Sequence, residues 1–357
     1  MPRELVAVAV RTPALRAYVD QPLQPNEIRV TSQFGAPKHG TELHGYRADG
    51  ATGHAYWDPA LKLMMPAGPD HPPAQQFPRT LGNIAVGVVS EVGSEVEGVK
   101  VGEMVAGYGP LRETQRWVWG STSTYPGVRT LPEGMTWQSA VCLDPATVAL
   151  GGIRDGQVRV GDRVAIFGLG AIGLMAVQLA RAAGAAFVVA VDPIAGRRDV
   201  ASQTGADLTI DPTTSDAGLA IRQATGGMGA DVSVETSGSA QALHQAVRGV
   251  AFGGMVAITA WYTEFRGGVD LGQEAHLNRP TFVFTRAESE PHRDHPRWNN
   301  RRLADAAWNL LAGGQLDGAP IVQPIVPFDE VVDAYRAIDE HPERSVKLGV
   351  RFGNSER

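Results

Sequence analysis

The chain has a single cysteine, Cys142, among its 357 residues. One thiol excludes an intrachain disulfide and any zinc site built from several cysteines. Long hydrophobic runs are missing too: no uninterrupted apolar stretch approaches the ~18 residues of a bilayer-spanning helix, and no secretory leader opens the chain. Charge of one sign is also scarce, since 32 Lys and Arg against 38 Asp and Glu leave a net charge of −6. The basic residues are scattered rather than gathered into a patch that would hold nucleic acid. Together these absences predict a cytoplasmic protein with a small-molecule partner, no nucleic acid and no membrane. Internal repeats and low-complexity tracts are absent as well.

What is present divides the chain in two. The length exceeds the comfortable size of one core, and 43% hydrophobic residues suffice to pack two. The first part reads as short strands at 5–10, 27–32, 85–92 and 104–108 separated by Gly and Pro, the pattern of a barrel-like β domain. Residues 48–78, rich in Pro, Gly and His and without a period, read as a long loop. From Trp137 the pattern changes. Strands at 163–167, 187–191, 207–210, 230–235 and 254–259 alternate with helices at 174–183, 197–204, 218–225 and 240–250. That alternation predicts an α/β fold with a doubly wound parallel sheet. A helix at 301–311 and a closing strand at 347–352 return to the first domain.

The sharpest motif is the apolar run Val164 to Phe167 followed by Gly168-Leu169-Gly170-Ala171-Ile172-Gly173. A lone GxGxxG means little in a chain with 42 glycines, but this one follows a strand and opens a helix, as a dinucleotide-binding turn must. Gly168 permits the tight turn, Gly170 lets the backbone approach a pyrophosphate, and Gly173 lets helix and strand pack closely. A second apolar strand ends in Asp192, about twenty residues past Gly173, where a carboxylate can accept bonds from both adenosine ribose hydroxyls. Asp192 would also repel a 2′-phosphate, which favours NAD over NADP. Arg197, together with Arg198, pulls the other way or flanks the adenine. Thr236, Ser237, Ala260 and Trp261 follow later strands at the carboxyl edge of the sheet and are expected to border the nicotinamide.

The segments Gly40-Thr41-Glu42-Leu43-His44, Gly82-Asn83-Ile84-Ala85-Val86-Gly87-Val88-Val89-Ser90-Glu91-Val92-Gly93, Val101-Gly102-Glu103-Met104-Val105 and Asp144-Pro145 join this fingerprint in one pattern. Over nearly its whole length the chain resembles the medium-chain dehydrogenase/reductase superfamily, on the branch of zinc alcohol, sorbitol and threonine dehydrogenases. The resemblance implies a GroES-like β-rich catalytic domain (1–145 and 286–357), a Rossmann NAD-binding domain (146–285), and a homodimer or homotetramer assembled through the latter.

Departures from the pattern bear on the chemistry. The positions of the three catalytic zinc ligands look like His39, Asn83 and Asp144, and a neutral amide is a poor zinc ligand. The four-cysteine lobe of many relatives is replaced by a region containing Arg112, Arg116, Trp117 and Trp119. The expectation is a variant without metal, in which side chains handle the proton and the developing alkoxide. His39, taken to have a near-neutral pKa, is the expected acid/base group, with Lys38 as oxyanion stabiliser or alternative acid. The resemblance gives Thr41 and His44 a proton relay, Glu42 the orientation of His39 or a substrate hydroxyl, and Asp144 a grip on a polyol. Asn83, His276, Arg279, Arg297 and Trp298 are candidate substrate contacts, the arginines as forks for a carboxylate or phosphate and Trp298 as a ring platform; salt bridges between domains or subunits are the alternative for the arginines.

These features point to an NAD-dependent alcohol or polyol dehydrogenase, a ketone reductase in reverse, acting on a polar secondary alcohol such as a sugar or cyclitol. The rivals are a zinc-free quinone or enone reductase and, from another class, a non-catalytic NAD(H)-binding sensor.

Overall fold

A computed structural model describes residues 1–49, 55–68, 76–120, 127–261, 267–286 and 289–353. It has a six-stranded parallel sheet and a β-rich part. In the parallel sheet the spatial order is Leu208–Ile210, Phe187–Val191, Arg163–Phe167, Ala230–Glu235, Val250–Ile258 and Thr281–Phe284. Arg163–Phe167 lies at its centre and is buried from Val164 onward, because helices cover both faces of such a sheet and leave no position for a polar residue. The helices Ala171–Ala182, Ala195–Thr204, Ala217–Ala224 and Ala240–Gly249 fall within a few residues of their expected bounds.

The β-rich part contains a seven-stranded sheet. Arg129–Thr130, Met104–Tyr108, Ile84–Val92, Glu27–Ala36, Lys347–Arg351 and Val322–Pro327 follow one another, and Thr114–Val118 also pairs with Glu27–Ala36. The closing strand therefore does return to the first sheet, antiparallel to Glu27–Ala36. Residues 48–78 differ from the expected loop: within the described residues they hold an antiparallel hairpin, Ala55–Asp58 with Leu63–Pro66.

The two parts share a core. Phe34, Ile84, Val86 and Ala106 of the β-rich sheet belong to the same buried cluster as Val164, Ile166, Leu174 and Trp308, joined by Ala146, Ala149, Leu150 and Ile153 of the helix Leu143–Asp155. No helix among the described residues is long and apolar enough to cross a membrane.

Strand register decides which residues meet. Ala36 pairs with Ile84, and Ile84 pairs with Tyr108. The residues just past these pairs, Lys38 and His39 after the first strand and Asn83 before the second, emerge beside Tyr108 at one end of the sheet. The helix Leu143–Asp155 begins there, with Asp144 in its first turn.

Candidate active site

Asp144 is the centre of this end of the sheet. It is buried, at 4% exposure, and its carboxylate is surrounded by donors. Lys38 Nζ lies 3.1 Å from Oδ1 and 3.0 Å from Oδ2, Asn83 Nδ2 donates to Oδ2 at 3.1 Å, and the Tyr108 hydroxyl donates to Oδ1 at 2.5 Å. Burial alone would raise the pKa of Asp144; the Lys38 charge and the Tyr108 and Lys38 hydrogen bonds outweigh it and hold the carboxyl below its ordinary value. The helix N-terminus favours the same charge. Asp144 is thus not the free polyol grip expected from sequence, because its oxygens are engaged within the protein. Asn83 likewise spends its amide on Asp144.

His39 also departs from expectation. Its Nε2 accepts the Leu348 N–H at 3.3 Å, so the ring is neutral with its proton on Nδ1. Burial, then the Lys347 and Arg197 charges, push its pKa down to about 3. The near-neutral acid/base histidine expected from sequence is therefore not what the structure contains. Glu42 does not orient His39 either. It accepts bonds from Tyr335 Oη at 2.6 Å, Gly82 N at 3.1 Å and Lys38 N at 3.4 Å, tying the loop to the C-terminal return; burial raises its pKa against the pull of these bonds. Thr41 opens the helix Thr41–Arg47, and His44 Nδ1 lies 2.7 Å from Asp49 Oδ1.

Lys347 was overlooked in the sequence. It is 3% exposed and donates to the Pro37 carbonyl at 2.9 Å, with its pKa lowered by burial. The signal was an ionisable residue within an apolar strand. Tyr108 was missed because it closes an expected strand and so read as packing. Cys142, next to this cluster, is an inert thiol that burial pushes up to about 12.

The zinc implied by the resemblance does not fit this donor set. The His39 lone pair and the Asp144 oxygens already face N–H or O–H groups of the protein, and the Asn83 amino group is spent on Asp144. Among the described residues no group of three or more His, Cys, Asp and Glu could hold a metal ion.

A dinucleotide does fit. The helix Ala171–Ala182 has no side-chain cap at Gly170, which leaves its first amides available to a pyrophosphate. A Cβ on Gly170 would meet nothing within 4 Å, whereas one on Gly173 would lie 1.8 Å from Gly168 O. Gly168 has φ 86° and packs on Ser237. Leu169 is buried, while Ala171 and Ile172 are half-buried at the helix start. Asp192 accepts Leu169 N at 2.7 Å and Ile194 N at 2.8 Å, which leaves further lone pairs for a ribose. Thr236 Oγ1 donates to Gly168 O at 2.8 Å, Ser237 N donates to Glu235 Oε1 at 2.7 Å, and Ala260 and Trp261 follow the strand Val250–Ile258. Arg197 reaches the Pro342 and Ser345 carbonyls at 2.8 and 3.1 Å, a bond between the parallel-sheet part and the C-terminal return.

The second cluster stays apart from Asp144. Trp298 has one face under Arg154 at 3.5 Å and another contact with Arg302 at 4.4 Å, so arginines rather than a sugar ring cover it. Arg297 is exposed and pairs with Asp294. His276 lies on the short helix Glu274–Asn278, with Arg279 at its C-cap, against the strand Val250–Ile258 and the helix Ala240–Gly249.

A parallel sheet with an open glycine turn, joined to a β-rich part carrying a polar cluster, is the architecture of a dinucleotide-dependent oxidoreductase. Residues 171–287 match the family model described as zinc-binding dehydrogenase. The D-guloside 3-dehydrogenase of Escherichia coli (strain K12) is 44% identical over 352 residues, which span 98% of this chain and 100% of that protein. The chain belongs to the zinc-binding dehydrogenase family, within the medium-chain dehydrogenase/reductase superfamily. Two solved structures show the same fold: a Sinorhizobium meliloti 1021 protein assigned as a zinc-binding dehydrogenase and bound to NADP (TM-score 0.74, 22% identity, 98% of this chain and 99% of that one), and an alcohol dehydrogenase of E. coli CFT073 complexed with NADH (TM-score 0.74, 18% identity, the same coverage).

Two glycine variants separate binding from packing. Gly170→Ala is expected to keep the wild-type melting temperature while NADH affinity, read by fluorescence titration, falls about tenfold or more; Gly173→Ala is expected to cost about 1–3 kcal/mol of stability. Equal losses of stability in both would sink this division. For His39 the folded pKa lies below the ordinary 6.5, so the unfolded chain takes up a proton that the folded one refuses. The resulting stability is full above pH 6.5 and is lost towards about pH 3, by up to ~1.4 kcal/mol per pH unit. His39→Gln should therefore lose less stability than wild type in urea unfolding between pH 7 and pH 4; parallel curves would contradict the assignment.

Proposed function

We propose that the protein is an NAD-dependent dehydrogenase that oxidises a secondary ring hydroxyl of a hexoside, and reduces the corresponding ketone in reverse, with Lys38 and Asp144 in place of a zinc ion. The observation that carries this reading is the Lys38–Asp144 pair at the position where the family pattern places metal ligands. The coarser statement, a sugar or polyol dehydrogenase, rests on similarity along the whole chain to an enzyme named for a D-guloside; a 3-hydroxyl is the substrate position taken from that name. The same similarity weighs against an enone reductase and against a sensor without turnover.

Exposure decides which member of the pair meets substrate. The Lys38 side chain is 29% exposed and that of Asp144 only 5%. As the free amine, Lys38 Nζ takes the hydroxyl proton while the carbinol carbon becomes a carbonyl; as the ammonium it donates that proton back to the carbonyl oxygen. Asp144 stabilises the ammonium and fixes its direction. The bound nicotinamide supplies the acceptor or donor of the hydride. His39, neutral and held by Leu348, forms part of the wall beside Lys38.

NAD is favoured over NADP because the arginines that could pair with a 2′-phosphate have other partners. Arg198 donates to Asp192 O at 2.7 Å and lies 3.1 Å from Asp211, and Arg197 holds the Pro342 and Ser345 carbonyls. A homo-oligomer built through the parallel sheet is supported by its edge strand Thr281–Phe284, where Phe284 is 70% exposed.

Purified enzyme offered methyl hexosides with NAD, and NADP in parallel, is expected to form NADH from a subset of the sugars and little NADPH. Its zinc content should lie far below one atom per chain, and chelators should leave the rate unchanged. Lys38→Met should lower kcat by about 10³-fold while still binding NADH. Near-stoichiometric zinc whose removal stops turnover would defeat the metal-free reading. Light scattering should give a dimer or tetramer, and Phe284→Lys should shift it towards smaller species; a wild-type monomer would refute assembly through this edge.

A further inference from the structure

We propose that Tyr108 is a positioning residue for the reaction: its hydroxyl clamps the Asp144 carboxylate so that Lys38 is aimed at the substrate oxygen. The inference rests on the proposed role of Lys38 and adds a residue that the family pattern does not supply.

The argument is geometric. Asp144 lies in the first turn of a helix, and a carboxylate there can rotate about its Cβ–Cγ bond. Lys38 bridges both oxygens, so rotation of the carboxylate would swing the ammonium with it. Two further donors fix the plane from opposite sides, Asn83 on Oδ2 and Tyr108 on Oδ1. The Tyr108 contact is the shortest of the set, and its oxygen is the one also 3.1 Å from Lys38 Nζ.

Tyr108 is itself rigidly mounted. Its carbonyl accepts the indole N–H of the buried Trp117 at 2.8 Å. It pairs with Ile84 across the sheet, and the next amide, Gly109 N, donates to the Asn83 carbonyl at 3.0 Å. The two clamps on Asp144 are thus held to each other through the backbone. Lys38 is constrained from behind as well, by Lys38 N to Glu42 and by Lys347 Nζ to Pro37 O. Those bonds fix its backbone, and among the described residues the head group is held only by Asp144.

The test is a double-mutant cycle of Tyr108→Phe and Lys38→Met, with kcat and KM for the hexoside, NADH affinity and melting temperature measured for each protein. Y108F should lower kcat by about 10- to 100-fold, with KM and NADH affinity within about twofold of wild type. On the K38M background the same change should cost nothing further, because a residue that acts through Lys38 has no effect once Lys38 is gone. Site-specific 3-fluorotyrosine at position 108 keeps the shape and strengthens the donor, and should alter kcat at least about threefold at unchanged KM and melting temperature, even if Y108F folds poorly. Unchanged kcat in the fluorinated protein, or equal losses from Y108F on both backgrounds, overturns the proposal while leaving Lys38 in place. Full activity in K38M overturns both readings.

Discussion

A carboxylate taken almost wholly out of water needs a matching set of donors, and the site is built to meet that demand at Asp144. The ion cannot be left unpaired, because an uncompensated buried charge costs several kcal/mol. Its position in the first turn of the helix Leu143–Asp155 provides a favourable dipole, but a dipole satisfies no lone pair. The remaining requirement is met by three side chains from three chain segments: Lys38 after the strand Glu27–Ala36, Asn83 before Ile84–Val92, and Tyr108 at the end of Met104–Tyr108. They converge only because Ala36, Ile84 and Tyr108 lie in register. A slip of one residue would turn these side chains to the opposite face.

The same cluster joins the two parts of the molecule. Leu348 N and Lys347 Nζ hold the turn at Pro37 and His39, while a few residues earlier Ser345 O and Pro342 O accept Arg197 from the helix that follows Asp192. One short C-terminal stretch therefore touches both the loop carrying Lys38 and the helix that follows Asp192. Lys347 and Lys38 are opposed by Asp144 and Glu42, so two cations and two carboxylates lie close together; burial presses Lys347 and Glu42 towards neutrality, while its neighbours hold Asp144 ionised.

Much of the parallel sheet was legible because its strands are short apolar runs bounded by glycine, and the period between them admits few alternatives. The strands Arg163–Phe167 and Ala230–Glu235 were read to the residue. The edge strand Thr281–Phe284 and the hairpin within 48–78 were not; their outward faces are apolar and their sequences lack clean alternation. Near Asp144 the sequence singled out the loop of Lys38 and His39 and the helix turn of Asp144, which the structure brings together, but not the partners that engage their side chains. His39 stands out as a titratable residue in a promising position, but its state is set by Leu348 and Lys347, more than three hundred residues later in the chain. Tyr108 gave no sign in linear order, and Lys347 only that of an ionisable residue within an apolar strand, since what they touch is set by sheet pairing. Arg297 and Trp298 erred in the other direction, because a conspicuous Arg-Trp segment proved to pack on itself and on Arg154.

On the proposed reading, an ammonium in place of a metal has a physical logic. A divalent ion at this position would require His39 to give up the Leu348 N–H, Asp144 to turn from Lys38 and Tyr108, and Asn83 to present its oxygen in place of its amino group. Each change leaves a buried donor without an acceptor, at a cost of about 1–3 kcal/mol apiece, and brings two positive charges beside Lys38 and Lys347. An ammonium held by a carboxylate avoids these losses. It still offers what an alcohol oxygen needs on its way to a carbonyl, a nearby positive charge and a group that can exchange a proton. What it gives up is the fixed geometry of metal–ligand bonds. Direction must then come from hydrogen bonds, and on that reading the Asn83 and Tyr108 bonds to the two Asp144 oxygens supply it.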